Sequence, residues 1–254
     1  MSNFASYPSL KGKVAVVTGG ASGIGAAIAE QLTDQRCSVA IIDIDDNAGR
    51  SLESKIVLGG ATAMYVSCDL RDADALGTAI AGVSARLGPI SALVNNGARD
   101  DRHALESVTP AYWDERFAVN FRHQFFASQA VAADMKSMRA GSIVNFGSTS
   151  WMKAMGTMPA YEAAKAAVHG LTRSLARSLG GHGVRVNCIV PGWIMTERQQ
   201  KLWLTPESEA ELLRSQCLKE KLYPADVARM VLWLLADDSR MVTGQDFVVD
   251  GGWF

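Results

Sequence analysis

Tyr161 and Lys165 stand four residues apart in Tyr161-Glu162-Ala163-Ala164-Lys165, a spacing that a helix turns onto one face. A phenol and an ammonium held side by side make a proton-transfer pair. The ammonium favours the phenolate and draws the tyrosine pKa from its ordinary value near ~10 toward the range of a working general base. Helix geometry alone makes most such pairs surface neighbours, so what lies upstream decides what this one means.

Upstream and downstream, short β-branched runs alternate with longer segments of helical period. Strands are predicted at 14–18, 38–43, 63–68, 92–95, 142–146, 185–189 and 247–249, and helices at 23–35, 72–87, 113–139, 161–179 and 225–235. In the first helix Ile24, Ala27, Ile28 and Leu32 fall on one stripe. Several strands are apolar throughout, without alternation, which predicts burial on both faces of a parallel sheet sandwiched by helices. No linker, repeat or low-complexity tract divides the chain, so 1–254 reads as a single α/β domain. The least regular stretch, 192–222, is polar and holds Trp193, Trp203 and Pro206; it is expected to form a lid beside a site.

The 254 residues are 48% hydrophobic and 20% charged with a formal net charge of -1, the profile of an ordinary globule with no bias toward nucleic acid or an anionic membrane. Residues 1–10 lack a basic start followed by an apolar run, and no apolar segment approaches the length of a spanning helix, so the cytoplasm is the expected compartment. Cys37, Cys68, Cys188 and Cys217 are scattered, with no CxxC and no histidine at ligand spacing. Buried reduced thiols are expected, and no metal.

The first strand runs into Thr18-Gly19-Gly20-Ala21-Ser22-Gly23-Ile24-Gly25 and then directly into a helix. Glycines there let the backbone turn tightly and approach a pyrophosphate, whose charge meets free amides and the positive helix end. Asp43 ends the second strand about twenty residues later, where a carboxylate would accept from the adenosine ribose hydroxyls and repel a ribose phosphate, favouring NAD over NADP. Asp43 and Asp45 are also suited to capping the next helix. Asp69-Leu70 after the third strand and Asn95-Asn96-Gly97-Ala98 after the fourth fit the adenine and a ribose of the same cofactor, and both also read as turn chemistry.

These residues resemble the short-chain dehydrogenase/reductase family over nearly the whole chain. Thr18 to Gly25 matches its TGxxxGxG, Tyr161 to Lys165 its YxxxK, and Ser148 stands thirteen residues before Tyr161, where the family places a serine. Asn120 in Val119-Asn120-Phe121 matches the family's asparagine, and Pro191-Gly192 with Ile194 and Thr196 resembles its nicotinamide-facing turn. One departure is Asn95-Asn96-Gly97-Ala98 in place of NNAG. The resemblance implies a Rossmann-type doubly wound sheet and hydride transfer to a nicotinamide. It gives Tyr161 the role of base, Lys165 that of partner to Tyr161 and the nicotinamide ribose, Ser148 that of donor to the substrate oxygen, and Asn120 that of holding a water linking Lys165 to solvent. It also implies a homotetramer.

For the substrate, Arg99-Asp100-Asp101-Arg102-His103 is a dense polar cluster suited to a hydroxyl-covered ligand. Trp151, Trp193, Gln199 and Trp203 would add aromatic faces and polar groups. The cluster also reads as a solvated helix start, the tryptophans as core, and His103 as structural. Asp100 to His103, Ala111 to Arg116, Asn145 to Ser148 and Gln216 to Lys219 are similar to bacterial sugar 1-dehydrogenases, which implies oxidation of an aldose at its anomeric carbon. Two other enzymes keep the same core residues: a 3-oxoacyl-type reductase, which wants an apolar pocket, and a sugar-acid dehydrogenase, for which Arg99, Arg102 or Arg214 would hold the carboxylate. A non-catalytic dinucleotide sensor would be free to lose Tyr161, Lys165 or Ser148, and all three are present.

Overall fold

The computed structural model describes residues 4–254. Seven strands, β1 (Val14–Thr18), β2 (Ser38–Asp43), β3 (Ala63–Ser67), β4 (Ile90–Asn95), β5 (Gly141–Phe146), β6 (Val184–Pro191) and β7 (Asp246–Val249), form one sheet in the order β3-β2-β1-β4-β5-β6-β7. Every pairing is parallel. Strand β1 shows why the apolar runs do not alternate. Ala15 and Val17 pack with Ile28 and Leu32 of α1 (Gly23–Asp34) and Val231 and Leu235 of α9 (Pro224–Leu235). Val14 and Val16 face the other layer, with Leu76, Ile80 and Val83 of α3 (Ala73–Leu87) and Val131 and Met135 of α5 (His123–Met138). Both faces of the sheet are thus covered, and the strand order reverses between β1 and β4, opening a crevice at the carboxyl edge.

Tyr161 and Lys165 lie on the buried face of α6 (Pro159–Leu179), in line with Ala164, Val168, Thr172, Ala176 and Leu179. That settles the meaning of their spacing: the pair is turned into the protein, not out to solvent. Burying an ammonium costs several kcal/mol unless it is bonded. Lys165 Nζ donates to the Phe146 carbonyl at 2.8 Å, and buried neighbours such as Val168 and Leu179 each contribute roughly 1.5–3 kcal/mol to hold the helix down.

Three elements differ from the sequence reading. The helix predicted over 113–139 is α4 (Pro110–Phe117) and α5 joined by a π turn, Ala118–Arg122, which carries Asn120. The wider turn alters the carbonyl ladder there, and the Arg116 carbonyl accepts from Asn120 Nδ2 at 2.9 Å. Helix α2 (Asp46–Leu58) is anticipated in the sequence only through its cap, without bounds; Asp45 caps it by accepting from Ala48 N, and Leu52 and Ile56 are buried beneath it. The excursion holds two helices, α7 (Glu197–Trp203), started by Thr196, and α8 (Pro206–Ser215), started by a reciprocal cap between Thr205 and Ser208. Three of the cysteines are buried as expected; Cys217 is exposed. No helix among the described residues is long and apolar enough to cross a membrane.

Candidate active site

A cleft of about 1130 Å³ runs along the carboxyl edge, from Asp43 past the glycine turn to Ser148, Tyr161 and Lys165 and on to α7. The turn itself admits only glycine at its critical points. Gly19 has φ +61°, and a Cβ there would stand 2.5 Å from Gly97 Cα; a Cβ on Gly25 would meet the Gly19 carbonyl oxygen at 2.0 Å. Ser22 precedes α1 without a side-chain cap, leaving the first-turn amides for an anion. Gly19, Ser22, Gly23, Ile24, Leu70, Gly97, Pro191, Gly192, Ile194 and Thr196 all border the cleft. Gly23 lies against the Thr196 methyl, and Gly192 against Asp250. Leu70 explains the departure at Gly97: its Cδ1 stands 2.3 Å from where a Gly97 Cβ would be. These features fit a dinucleotide.

Asp43 is not the helix cap. Its Oδ2 accepts from Ala21 N at 3.0 Å, bracing the glycine turn, and its Oδ1 accepts from the amides of Ile44 and Asp45. The carboxylate borders the cleft. Asp69 also faces it, with Arg71 Nη2 at 2.6 Å holding its carboxyl below the usual range. Asn95 is a correction. Its side chain is fully buried behind the cleft, donating to Gln124 O, Ser128 Oγ and Asn145 Oδ1. Strand alternation turns the next side chain the other way, so Asn96 reaches the cleft and pins the turn by donating to Thr18 O and Gly19 O.

At the reaction end, Ser148 Oγ donates to Ser150 Oγ at 3.0 Å. Burial pushes the Tyr161 phenol well above its ordinary range, with Asp100 adding to the rise; the hydrogen bond with Ser148 and the charge of Arg102 pull it down. This reverses the expected direction. Lys165 Nζ sits 5.8 Å from the Tyr161 ring centroid and is bonded to Phe146 instead. Burial brings Lys165 itself down to about 8, against the upward pull of Cys188 and Asp100. Asn120 is buried, its amide oxygen accepting from Arg99 N and its amide nitrogen donating to Arg99 O and Arg116 O. Gln124, fully buried, was missed. It donates to Asn120 O and Phe146 O and accepts from Phe146 N, aligning the carbonyl that receives Lys165. A glutamine one turn past Asn120 on a buried helix face is the only sequence trace of it.

The polar cluster divides its labour. Asp101 is engaged by Arg99 (2.7 Å), Arg116 (2.9 Å) and Arg198 (2.7 Å), and although burial works to raise its pKa these guanidiniums hold it below the usual range. Asp100 faces the cleft and accepts from Gln199 Nε2 at 2.7 Å, while Gln199 Oε1 accepts from Trp193 Nε1 at 2.9 Å. Trp203 lies under the Arg102 guanidinium, and its indole N–H is buried without a partner. Two residues leave the predicted set. His103 Nε2 accepts from Ala160 N at 3.2 Å, so Nδ1 carries the ring proton of the neutral form, between Asp101 O and Tyr112 Oη; the ring anchors the start of α6 and is absent from the cleft wall. Trp151 turns away to donate to His169 Nε2, whose Nδ1 meets Asp246 at 3.0 Å. Lys153 and Trp253, not anticipated, do line the cleft.

The chain belongs to the short-chain dehydrogenase/reductase family. Residues 19–254 match the family model described as enoyl-(acyl carrier protein) reductase. The chain is 46% identical over 247 residues to D-xylose 1-dehydrogenase of Caulobacter vibrioides, covering 97% of this chain and 98% of that one. It is 45% identical over 249 residues to the probable galactose dehydrogenase of Rhizobium meliloti, covering 98% and 97%. Among solved structures, 7 alpha-hydroxysteroid dehydrogenase complexed with NADH and 7-oxo glycochenodeoxycholic acid superposes with a TM-score of 0.92 at 30% identity, covering 97% of this chain and 96% of that one. The protein is an oxidoreductase acting on CH–OH groups.

Proposed function

We propose that this protein oxidises the anomeric hydroxyl of an aldose such as D-xylose, L-arabinose or D-galactose to the aldonolactone, with NAD as the acceptor. The observation that carries this is a cleft in which Ser148, Tyr161 and Lys165 face a wall of hydrogen-bonding groups, Asp100, Gln199 and Trp193. Tyr161 in its base form takes the hydroxyl proton, Ser148 donates to the same oxygen, and Lys165 holds a charge beside the phenol. A bound nicotinamide would supply the hydride acceptor. The cofactor would lie over Gly19 to Gly25, with Asp43 at its adenosine ribose and Asp69 and Leu70 at its adenine. The names of the D-xylose and galactose relatives support the substrate class.

The charged wall does not suit the apolar substrate of a 3-oxoacyl reductase. A sugar acid finds little free arginine: Arg99 is bonded to Asp101, Arg214 is paired with Glu211, and Arg102 lies by Asp100 and Met158. Initial rates of nicotinamide reduction over aldoses, sugar acids and simple alcohols, each with NAD and NADP, test the proposal. Sugar acids as the fastest substrates would replace it with the second reading. The same proposal places the enzyme in the cytoplasm as a homotetramer. Trp113 stacks on Phe117, which meets Phe121 edge-on, and Trp113 and, on α5, Phe125 are each 39% exposed, apolar surface that a second copy would cover. Light scattering should give the mass of four chains; a monomer contradicts it.

A further inference from the structure

Lys153 follows Ser148 by five residues, and its ammonium lies 3.4 Å from the centroid of the Trp253 ring. Both residues border the same cleft as Ser148 and Tyr161. The other cations buried or half-buried in that wall have acceptors: Lys165 has the Phe146 carbonyl, and Arg102 has Asp100. The more exposed Arg71, Arg99 and Arg198 are likewise paired, with Asp69 or Asp101, while Lys201 extends into solvent. Lys153 Nζ has no hydrogen bond and no ion pair to any described residue. Asp250 exerts a carboxylate pull on it without bonding it; the Asp250 oxygens accept from Gly252 N and Phe254 N.

This is a costly state for an ammonium. Burial pushes Lys153 down to about 8, and an indole face attracts the charge from one side without accepting its N–H groups. No described residue accepts from the ammonium, which borders the open cleft. Trp253 is fixed where it is by the excursion: Leu218 N donates to Gly251 O and Cys217 N to Gly252 O, with Gly251 and Gly252 at φ +69° and +79°. The ammonium is thus held in position before any ligand arrives.

We propose that Lys153, steadied on Trp253, is a specificity-determining residue that donates hydrogen bonds to sugar hydroxyl oxygens remote from the anomeric carbon. The inference rests on the aldose reading above. It assigns to the loop after Ser148 and to the last residues of the chain the recognition of sugar length, a task separate from the chemistry at Tyr161.

Lys153→Met keeps the packing on Trp253 and deletes the donors; Lys153→Arg restores them. With the best pentose or hexose, Lys153→Met should raise KM about tenfold, change kcat less than about threefold, and leave the NADH dissociation constant, read by fluorescence, unchanged; Lys153→Arg should recover most of the loss. With erythrose, whose furanose keeps the anomeric hydroxyl but carries no hydroxyl beyond C3, the KM penalty should vanish. An unchanged KM on the long sugar, an equal penalty on erythrose, or weakened NADH binding each overturns the inference while leaving the aldose reading intact. A wild-type enzyme that oxidises no aldose removes both.

Discussion

Tyr161→Phe should lower kcat for sugar oxidation about 1000-fold while NADH binds as before. The substitution keeps a ring of the same shape in a site 9% exposed and removes only the oxygen that receives the proton. Positioned acid–base groups are worth roughly 10²–10⁴ in rate, whereas the lost hydroxyl contributes only about 1 kcal/mol to the fold, so the rate collapses and the protein stands. The pH dependence follows from the same burial. Burial raises Tyr161, and Lys165 is bonded to Phe146 and not to the phenol. The reaction needs Tyr161 in its base form, so oxidation should speed up as pH rises into the alkaline range, a rise that Tyr161→Phe abolishes. Turnover within tenfold of wild type, or a profile unchanged by the substitution, contradicts the role of Tyr161.

The second large effect concerns the other end of the cleft. Asp43→Ala with Ile44→Arg should swing the ratio of kcat/KM for NAD over NADP by about 100-fold or more toward NADP. The change removes a carboxylate that repels a ribose phosphate and supplies a guanidinium at a residue 64% exposed on the cleft wall; charge-assisted bonds of this kind are worth roughly 1.5–3 kcal/mol, and each 1.4 kcal/mol is about tenfold. Total activity should also fall, because Asp43 braces Ala21 N in the glycine turn. The ratio separates the two effects: loss of bracing weakens both cofactors alike, and loss of repulsion favours one. An unmoved ratio would remove Asp43 from cofactor selection.

The sheet was legible because strands buried on both faces carry apolar runs without alternation, as Val14 to Val17 of β1, Ala92 to Val94 of β4 and Cys188 to Val190 of β6 do. The extent of helix α2 was not, beyond its cap, since only Leu52 and Ile56 mark its buried side among polar residues. The π turn carries an Asn120 side chain that bonds the backbone of Arg99 in another part of the chain, which no local period reveals. In the site, Ser148, Tyr161 and Lys165 could be read because their spacing follows from one strand end and one helix. Asn95 was misread because strand alternation, not the motif, decides which of two neighbouring asparagines reaches the cleft. His103 and Trp151 look like site residues in sequence, yet each finds a structural partner, Ala160 N and His169, that only the tertiary fold supplies. Lys153 and Trp253 stand a hundred residues apart and declare themselves only when packed together.

The most direct test of the sugar oxidation is the initial rate of NADH formation over a panel of aldoses, their aldonic and uronic acids, and 3-oxoacyl substrates run in reverse, each with both cofactors. The geometry predicts that an aldose with NAD is fastest, that NADP serves at least about tenfold less well, and that the product is a lactone. Fastest turnover on a sugar acid or on a 3-oxoacyl substrate with NADPH would contradict it.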